Sequence, residues 1–327
     1  MRAVKWLKYL GFLLALIALC ALIITIFWIP TAKEPGYQFV SSWGELGTKP
    51  GQFHDPTGIA VSQTEVFVSD SRNARIQVFD FDGNFKRQFG VKGETKSQLG
   101  RPMNLTLHKN KLFVADYWND RIEIFSIAGK LLRSIGKSGS GPGEFNSPSG
   151  VAVSSKGEMY IADFYNQRIQ HLDARGNFLD QIGNTATKGI GSAEFNYPTD
   201  LSLSSTGLLY VADGYNDRIQ VFNKNTFAFK WGGPFAINIF GPFNGWFATV
   251  SSIAVDKVGH IFVADFYNNR IQKFNQNGQF LTSFGEKGNG PGQFNHAIAV
   301  AVTSGGIVFA ADFANNRIEK WQAIRPN

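Results

Sequence analysis

The sequence predicts an all-β fold, a six-bladed β-propeller of four-stranded antiparallel blades. Three observations carry this. An aspartate recurs at Asp70, Asp116, Asp163, Asp213, Asp265 and Asp312, at spacings of 46–52 residues, a period that belongs to propeller blades. An arginine follows each one five positions later, as Arg75, Arg121, Arg168, Arg218, Arg270 and Arg317, and an asparagine stands three after each aspartate, from Asn73 to Asn315. Each period also holds four short apolar runs separated by turn residues.

The unit from Gly143 to Gly183 shows the pattern in full. A loop ends in Pro148, and Gly150-Val151-Ala152-Val153 reads as the first strand, its small residues suited to a crowded position near an axis. Ser155-Lys156-Gly157 is a turn. Met159 to Asp163 is the second strand, Phe164 to Gln167 a turn, and Arg168 to Leu172 the third strand. A turn around Gly176 leads to a fourth strand, Phe178 to Ile182. The runs are apolar on both faces, as expected of sheets packed between two neighbours.

The last unit stops at Trp321, after its third strand. Tyr37 to Gly44 matches the fourth strands in pattern but has no unit of its own. It is expected to complete the sixth blade and close the ring, which removes exposed edges.

The chain resembles the NHL-repeat family on four features. These are the Gly-x-Phe-x-x-Pro loop, the Val-Ala-Asp strand end, the Asn-x-Arg-Ile start of the next strand and the closing Phe-Gly or Ile-Gly. The resemblance covers residues 37–321 and implies a β-propeller. A zinc-dependent peptidylamidoglycolate lyase shares this propeller type, with metal histidines after the loop proline. Here those positions hold Thr57, Met103, Ser149 and Thr199, so that ligand set is missing.

Ahead of the repeats, Tyr9 to Ile29 carries no charged side chain over 21 positions, long enough for a bilayer core of about 30 Å. Arg2, Lys5 and Lys8 precede it, and Trp6, Tyr9 and Trp28 suit the interfaces. The expected organisation is a cytoplasmic tail over 1–8, a transmembrane signal-anchor helix over 9–29, a linker over 30–36, the propeller over 37–321 and a C-terminal tail over 322–327. The propeller would then face the periplasm or cell exterior on an inner or plasma membrane. A cleaved signal peptide fits less well, because its apolar core is shorter and Pro30-Thr31-Ala32 is a poor cleavage site. Leu19 is too large for a lipoprotein box before Cys20, the single cysteine, and no disulfide framework exists. Net charge is +7. Residues 2–34 account for +3 of it, and +4 spread over the rest is no nucleic-acid footprint.

The six Asp/Arg pairs read as structural, since one site rarely needs six equivalent copies. Residues that differ among the copies are better ligand candidates. In the turns after the repeated aspartates these are Arg72, Tyr117, Trp118, Phe164, Tyr165, Tyr215, Phe266, Tyr267 and Phe313. A propeller gathers such turns on one face, where they form a broken aromatic ring, or else pack on the adjacent Gly-rich loops. The long connection from Gly233 to Phe247 adds Phe240 and Trp246, to cover the channel mouth or to meet a partner. His54, Asp55 and His296 become neighbours on ring closure and make a metal candidate.

The reading is therefore a membrane-anchored, non-catalytic binding or scaffold module for a protein, peptide or glycan on the loop-rich face. It calls for no cofactor and no nucleic acid. The alternatives are a propeller lyase or hydrolase with a metal at the channel mouth, and an RNA-binding propeller.

Overall fold

The computed structural model describes residues 2–324, with side chains from residue 29 onward and at residues 6 and 8–22. Six four-stranded antiparallel sheets form the blades of one ring. Blade three contains Pro148–Val153, Met159–Asp163, Arg168–Leu172 and Phe178–Ile182, close to the runs read from sequence. The innermost strands of the other blades are Pro56–Val61, Pro102–His108, Pro198–Leu203, Val250–Val255 and Ala297–Val302.

The expectation of burial on both faces holds for the three inner strands of a blade and fails for the fourth. In blade one, Phe85–Phe89 is mostly exposed while Glu65–Asp70 is almost wholly buried. The fourth strand is the outer edge, where the wedge of the blade opens to solvent. Between neighbouring blades lie six hydrophobic clusters. One joins Phe113, Ile122 and Ile124 of blade two to Val151, Met159, Ile161 and Leu172 of blade three.

Two glycine positions show why the repeat needs its residue types. A Cβ on Gly58 would run into the Met103 backbone, and one on Gly150 would sit 2.7 Å from Asp200 Oδ1. Inner strands converge there, and only minimal side chains fit. The glycine that closes a fourth strand, such as Gly44 at φ 103° or Gly136 at φ 96°, faces the buried ring of the next loop's phenylalanine, Phe53 or Phe145. The closing Gly and the Gly-x-Phe loop of the repeat are thus two halves of one contact.

Tyr37–Trp43 pairs antiparallel with Arg317–Ala323, so the N-terminal strand supplies the fourth strand of blade six. Tyr37 stacks on Phe284 at 4.5 Å, and Trp43 packs against Phe79 and Phe309. Residues 30–36 lie along blade five. The Asn244 side chain donates to the Pro30 carbonyl at 3.2 Å, Lys33 N donates to the Leu281 carbonyl at 2.7 Å, and Glu34 pairs with Lys273.

The expected membrane span and the location drawn from it are corrected by the structure. Among the described residues, no helix is long and apolar enough to cross a membrane. The one α-helix among the described residues runs Arg2–Trp28. Crossing a hydrocarbon core of about 30 Å takes about 20 consecutive apolar residues in one helix, and the described helix does not meet that requirement. The side chains of Arg2, Lys5 and residues 23–28, on which the anchor and its orientation also rested, lie outside the described residues.

Candidate functional site

The repeated polar residues form one network per blade. In blade three, Asp163 Oδ1 accepts from Asn146 N at 2.8 Å. Its Oδ2 accepts from Asn166 Nδ2 at 3.0 Å, Arg168 Nε at 2.9 Å and Gln170 Nε2 at 3.1 Å. Arg168 also donates to the carbonyls of Gly141 and Glu144, and Gln170 donates to Glu144 O and accepts from Gly143 N. The group therefore clamps the incoming Gly-rich loop onto the blade. Asp163 and Arg168 are buried, and every bond is internal. A planar guanidinium suits this role because it serves a carboxylate and several carbonyls at once.

The seventh residue after each aspartate belongs to this network and is absent from the reading of the sequence. It is Gln77, Gln170, Gln220 and Gln272 in four blades, and Glu123 and Glu319 in blades two and six. Arg121 lies 2.7 Å from Glu123 and 3.7 Å from Asp116; Arg317 lies 2.9 Å from Asp312 and 2.8 Å from Glu319. One cation there serves two buried carboxyls. Burial pushes the Glu319 carboxyl up to about 8, outweighing Arg317, whose charge is shared with Asp312. Burial likewise raises Glu123, against the Ser134 hydrogen bond and Arg121.

The variable turns fall into two tiers around the central channel. The first residue of each pair points inward: Tyr117, Phe164, Phe266 and Phe313 are half-buried. The second points out: Arg72, Trp118, Tyr165, Tyr215 and Tyr267 are exposed. Tyr117, Phe164, Tyr215, Phe266 and Tyr267 line one cavity of about 270 Å³, together with Arg101, Thr57, Ser149, Thr199 and Ser251 among others. Burial raises the Tyr117 hydroxyl and holds it protonated.

Ring contacts tie the tiers together. Tyr117 meets Phe164 at 5.8 Å, and Phe164 stacks on Tyr197 at 4.7 Å, which in turn meets Tyr215 at 5.0 Å. A second cluster joins Phe266 to Tyr267, His296 and Phe313. Trp118 lies under the Arg101 guanidinium at 5.6 Å.

Phe240 and Trp246 are not brought to this cavity. Trp246 is buried against Phe243, and Phe240 is exposed on the loop whose Asn244 reaches Pro30. Arg72 pairs with Asp55 on the rim. His296 stacks on Phe266 at 4.5 Å, and among the described residues no group of three His, Cys, Asp or Glu side chains could hold a metal ion.

Reading the sequence also misses Arg101, Tyr197 and Asp200. Arg101 and Tyr197 precede the first strands in loops where each copy differs. Asp200 takes the inner-strand position of Gly58 and Gly150. It lies buried along the channel, accepting from Ser252 Oγ at 2.8 Å and Ile253 N at 3.0 Å. Burial pushes its carboxyl up to about 7.

Fold and site together define a six-bladed β-propeller built on NHL repeats, with an aromatic channel mouth. Comparisons with known proteins agree with that class. An NHL-repeat model matches residues 53–79, 195–222 and 247–274, and a 6-bladed beta-propeller model matches residues 94–182. The chain is 49% identical over 53 residues to Protein brain tumor of Drosophila melanogaster, covering 16% of this chain and 5% of that protein. It is 51% identical over 47 residues to the B-box type zinc finger protein ncl-1 of Caenorhabditis elegans, covering 14% of this chain and 6% of that one. The match thus spans only a small part of either relative's length.

Among solved structures, a structural-genomics protein of unknown function from Bacteroides thetaiotaomicron is similar with a TM-score of 0.68 at 14% identity, over 88% of this chain and 76% of that one. Streptogramin B lyase is similar with a TM-score of 0.60 at 16% identity, over 88% of this chain and 98% of that one. At these identities the likeness concerns the fold alone.

Proposed function

We propose that the protein is a binding module whose protein, peptide or glycan ligand seats in the aromatic channel mouth. The observation that carries this is the composition of the cavity wall. Rings from blades two to five converge there with one guanidinium and a floor of hydroxyls, and no lining residue is a His, Cys, Asp, Glu or Lys. Aromatic rings offer area, and tyrosines a polar handle, at little entropic cost. The same wall holds neither a nucleophile paired with a base nor a carboxyl pair, which chemistry on a ligand would require.

The Asp/Arg pairs have a structural role in this reading, because their bonds are spent within the blade. A lyase reading has one observation in its favour, the Asp200 carboxyl raised toward neutrality in the channel below the mouth. Asp200→Asn separates the two when ligand breakdown is followed: a lyase loses turnover of the bound ligand, and a receptor has none to lose.

The test is a set of defined peptide and glycan arrays, probed with the wild type and a Tyr215→Ala/Tyr267→Ala variant. Both rings are exposed, so the variant is expected to melt at the wild-type temperature and lose array signal. Truncation of aromatic hot spots costs about 2 kcal/mol or more in binding. Equal array signal for the two proteins would sink the assignment of this face.

A further inference from the structure

We propose that the mouth takes an acidic sugar, a pyranose bearing one carboxylate, and that Arg101 is the residue that reads the carboxylate. The inference rests on the binding role proposed for the mouth and adds the chemistry of the ligand.

The first observation is charge. Arg101 lines the cavity, held over Trp118, and no carboxylate among the described residues lies within ion-pair distance of it. Its Nε is buried and has no hydrogen-bond partner. The repeat arginines differ in this respect, since each lies within 4 Å of an acid. A guanidinium left with open donors in a wall free of acids is complementary to a planar anion, which it can bind through two parallel hydrogen bonds.

The second observation is the direction of the floor's hydrogen bonds. Ser149 Oγ donates to the Pro198 carbonyl at 2.9 Å, and Thr199 Oγ1 to the Val250 carbonyl at 2.7 Å. Thr57 Oγ1 donates to Pro102 O at 3.1 Å, and Ser251 Oγ to Ala297 O at 3.2 Å. Ser149, Thr199 and Ser251 also reach a carbonyl of their own blade, at Ala162, Ala212 and Ala264, and Thr57 Oγ1 also meets Ser71 Oγ; each hydroxyl proton is thus spent on a protein acceptor, which leaves lone pairs. A floor of acceptors calls for a ligand that donates, as sugar hydroxyls do. Half-buried Phe164 and Phe266 supply apolar ring faces beside it. The volume, about 270 Å³, lies at the small end for ligand sites and suits one sugar ring better than a folded peptide segment.

The experiment is calorimetric titration of the full chain with trigalacturonate and with its fully methyl-esterified, neutral counterpart. The acid is expected to bind about tenfold more tightly than the ester, a difference of about 1.4 kcal/mol. Added salt should weaken the acid alone. Arg101→Gln should abolish the difference while leaving ester binding in place, and Arg101→Lys should restore part of it, because the charge returns without the fork. Equal affinities for acid and ester, an Arg101→Gln variant that weakens both alike, or binding of neither would overturn the inference. Tyr215→Ala/Tyr267→Ala on the peptide and glycan arrays separates the two failures. Array ligands still lost by that variant leave the mouth as a receptor of other chemistry; none lost removes the receptor as well.

Discussion

Blade three and blade six share a fold and differ in how they are held. Blade three is one continuous stretch of chain, and its clamp is Asp163, Asn166, Arg168 and Gln170, with every donor matched to an acceptor. Blade six borrows its outer strand from Tyr37–Trp43, and its clamp replaces the glutamine with Glu319. An amide both donates and accepts, so Gln170 ties the loop carbonyl to the aspartate. A carboxyl loses its donor when it ionises, so above about pH 8 Glu319 only accepts and competes with Asp312 for one arginine. The blade that closes the ring is thus the one with the less complete polar core.

Removal of residues 37–44 should have the largest effect on this contrast. It takes Tyr37 and Trp43 out of the core and exposes the Arg317–Ala323 edge. The loss is expected to be about 5 kcal/mol or more, since truncation of one large buried aromatic costs about 3–5 kcal/mol, and the open edge should promote aggregation. Denaturant melts and light scattering check this. A shortened chain with an unchanged melt would show that strand pairing does not hold blade six.

Next in size is a pair of equivalent truncations. Asp163→Ala leaves the buried Arg168 with no carboxylate and should cost about 3–5 kcal/mol. Asp312→Ala leaves Arg317 its contact with Glu319 and should cost about 1–2 kcal/mol. Equal losses in urea would break the comparison.

The third prediction concerns pH. Glu319 titrates at about 8 in the folded chain, above its ordinary 4.5. The fold favours its protonated form, so its contribution is complete below pH 4.5, falls as pH rises toward 8 and is flat above that. Glu319→Gln should therefore gain about 1–3 kcal/mol at pH 8 and almost nothing at pH 4.5. A gain independent of pH would refute the competing-carboxyl account. The smallest effect is expected from Glu123→Gln, under about 1 kcal/mol. Ser134 donates to Glu123 at 2.6 Å, and Arg121 lies nearer to Glu123 than to Asp116.

The architecture was legible because it is written six times. Periodic Asp, Arg and Asn fixed blade number and turn position, and the orphan segment Tyr37–Gly44 pointed to closure. The mouth was legible in part, because Tyr117, Phe164, Tyr215, Phe266 and Tyr267 vary in a constant register. Arg101 was not, since nothing local marks a cation whose meaning comes from the absence of acids across the ring. Phe240 and Trp246 look alike as apolar loop residues, yet one is exposed and the other buried, a choice made by packing distant in sequence. For the N-terminal run, composition suggested a span that the described helix does not support.

The segment 30–36 also sets a load path. Four fastenings hold it: Asn244 to Pro30, Lys33 to Leu281, Glu34 to Lys273, and the Gly36 carbonyl to Ile324. Tension applied through the helix reaches the first three, all on blade five or the loop leading into it, before it reaches the closing strand. They act as strain relief for the ring. In single-molecule stretching from the helix, a small early yield should precede ring opening. Lys273→Ala should weaken that early yield and leave the later force unchanged.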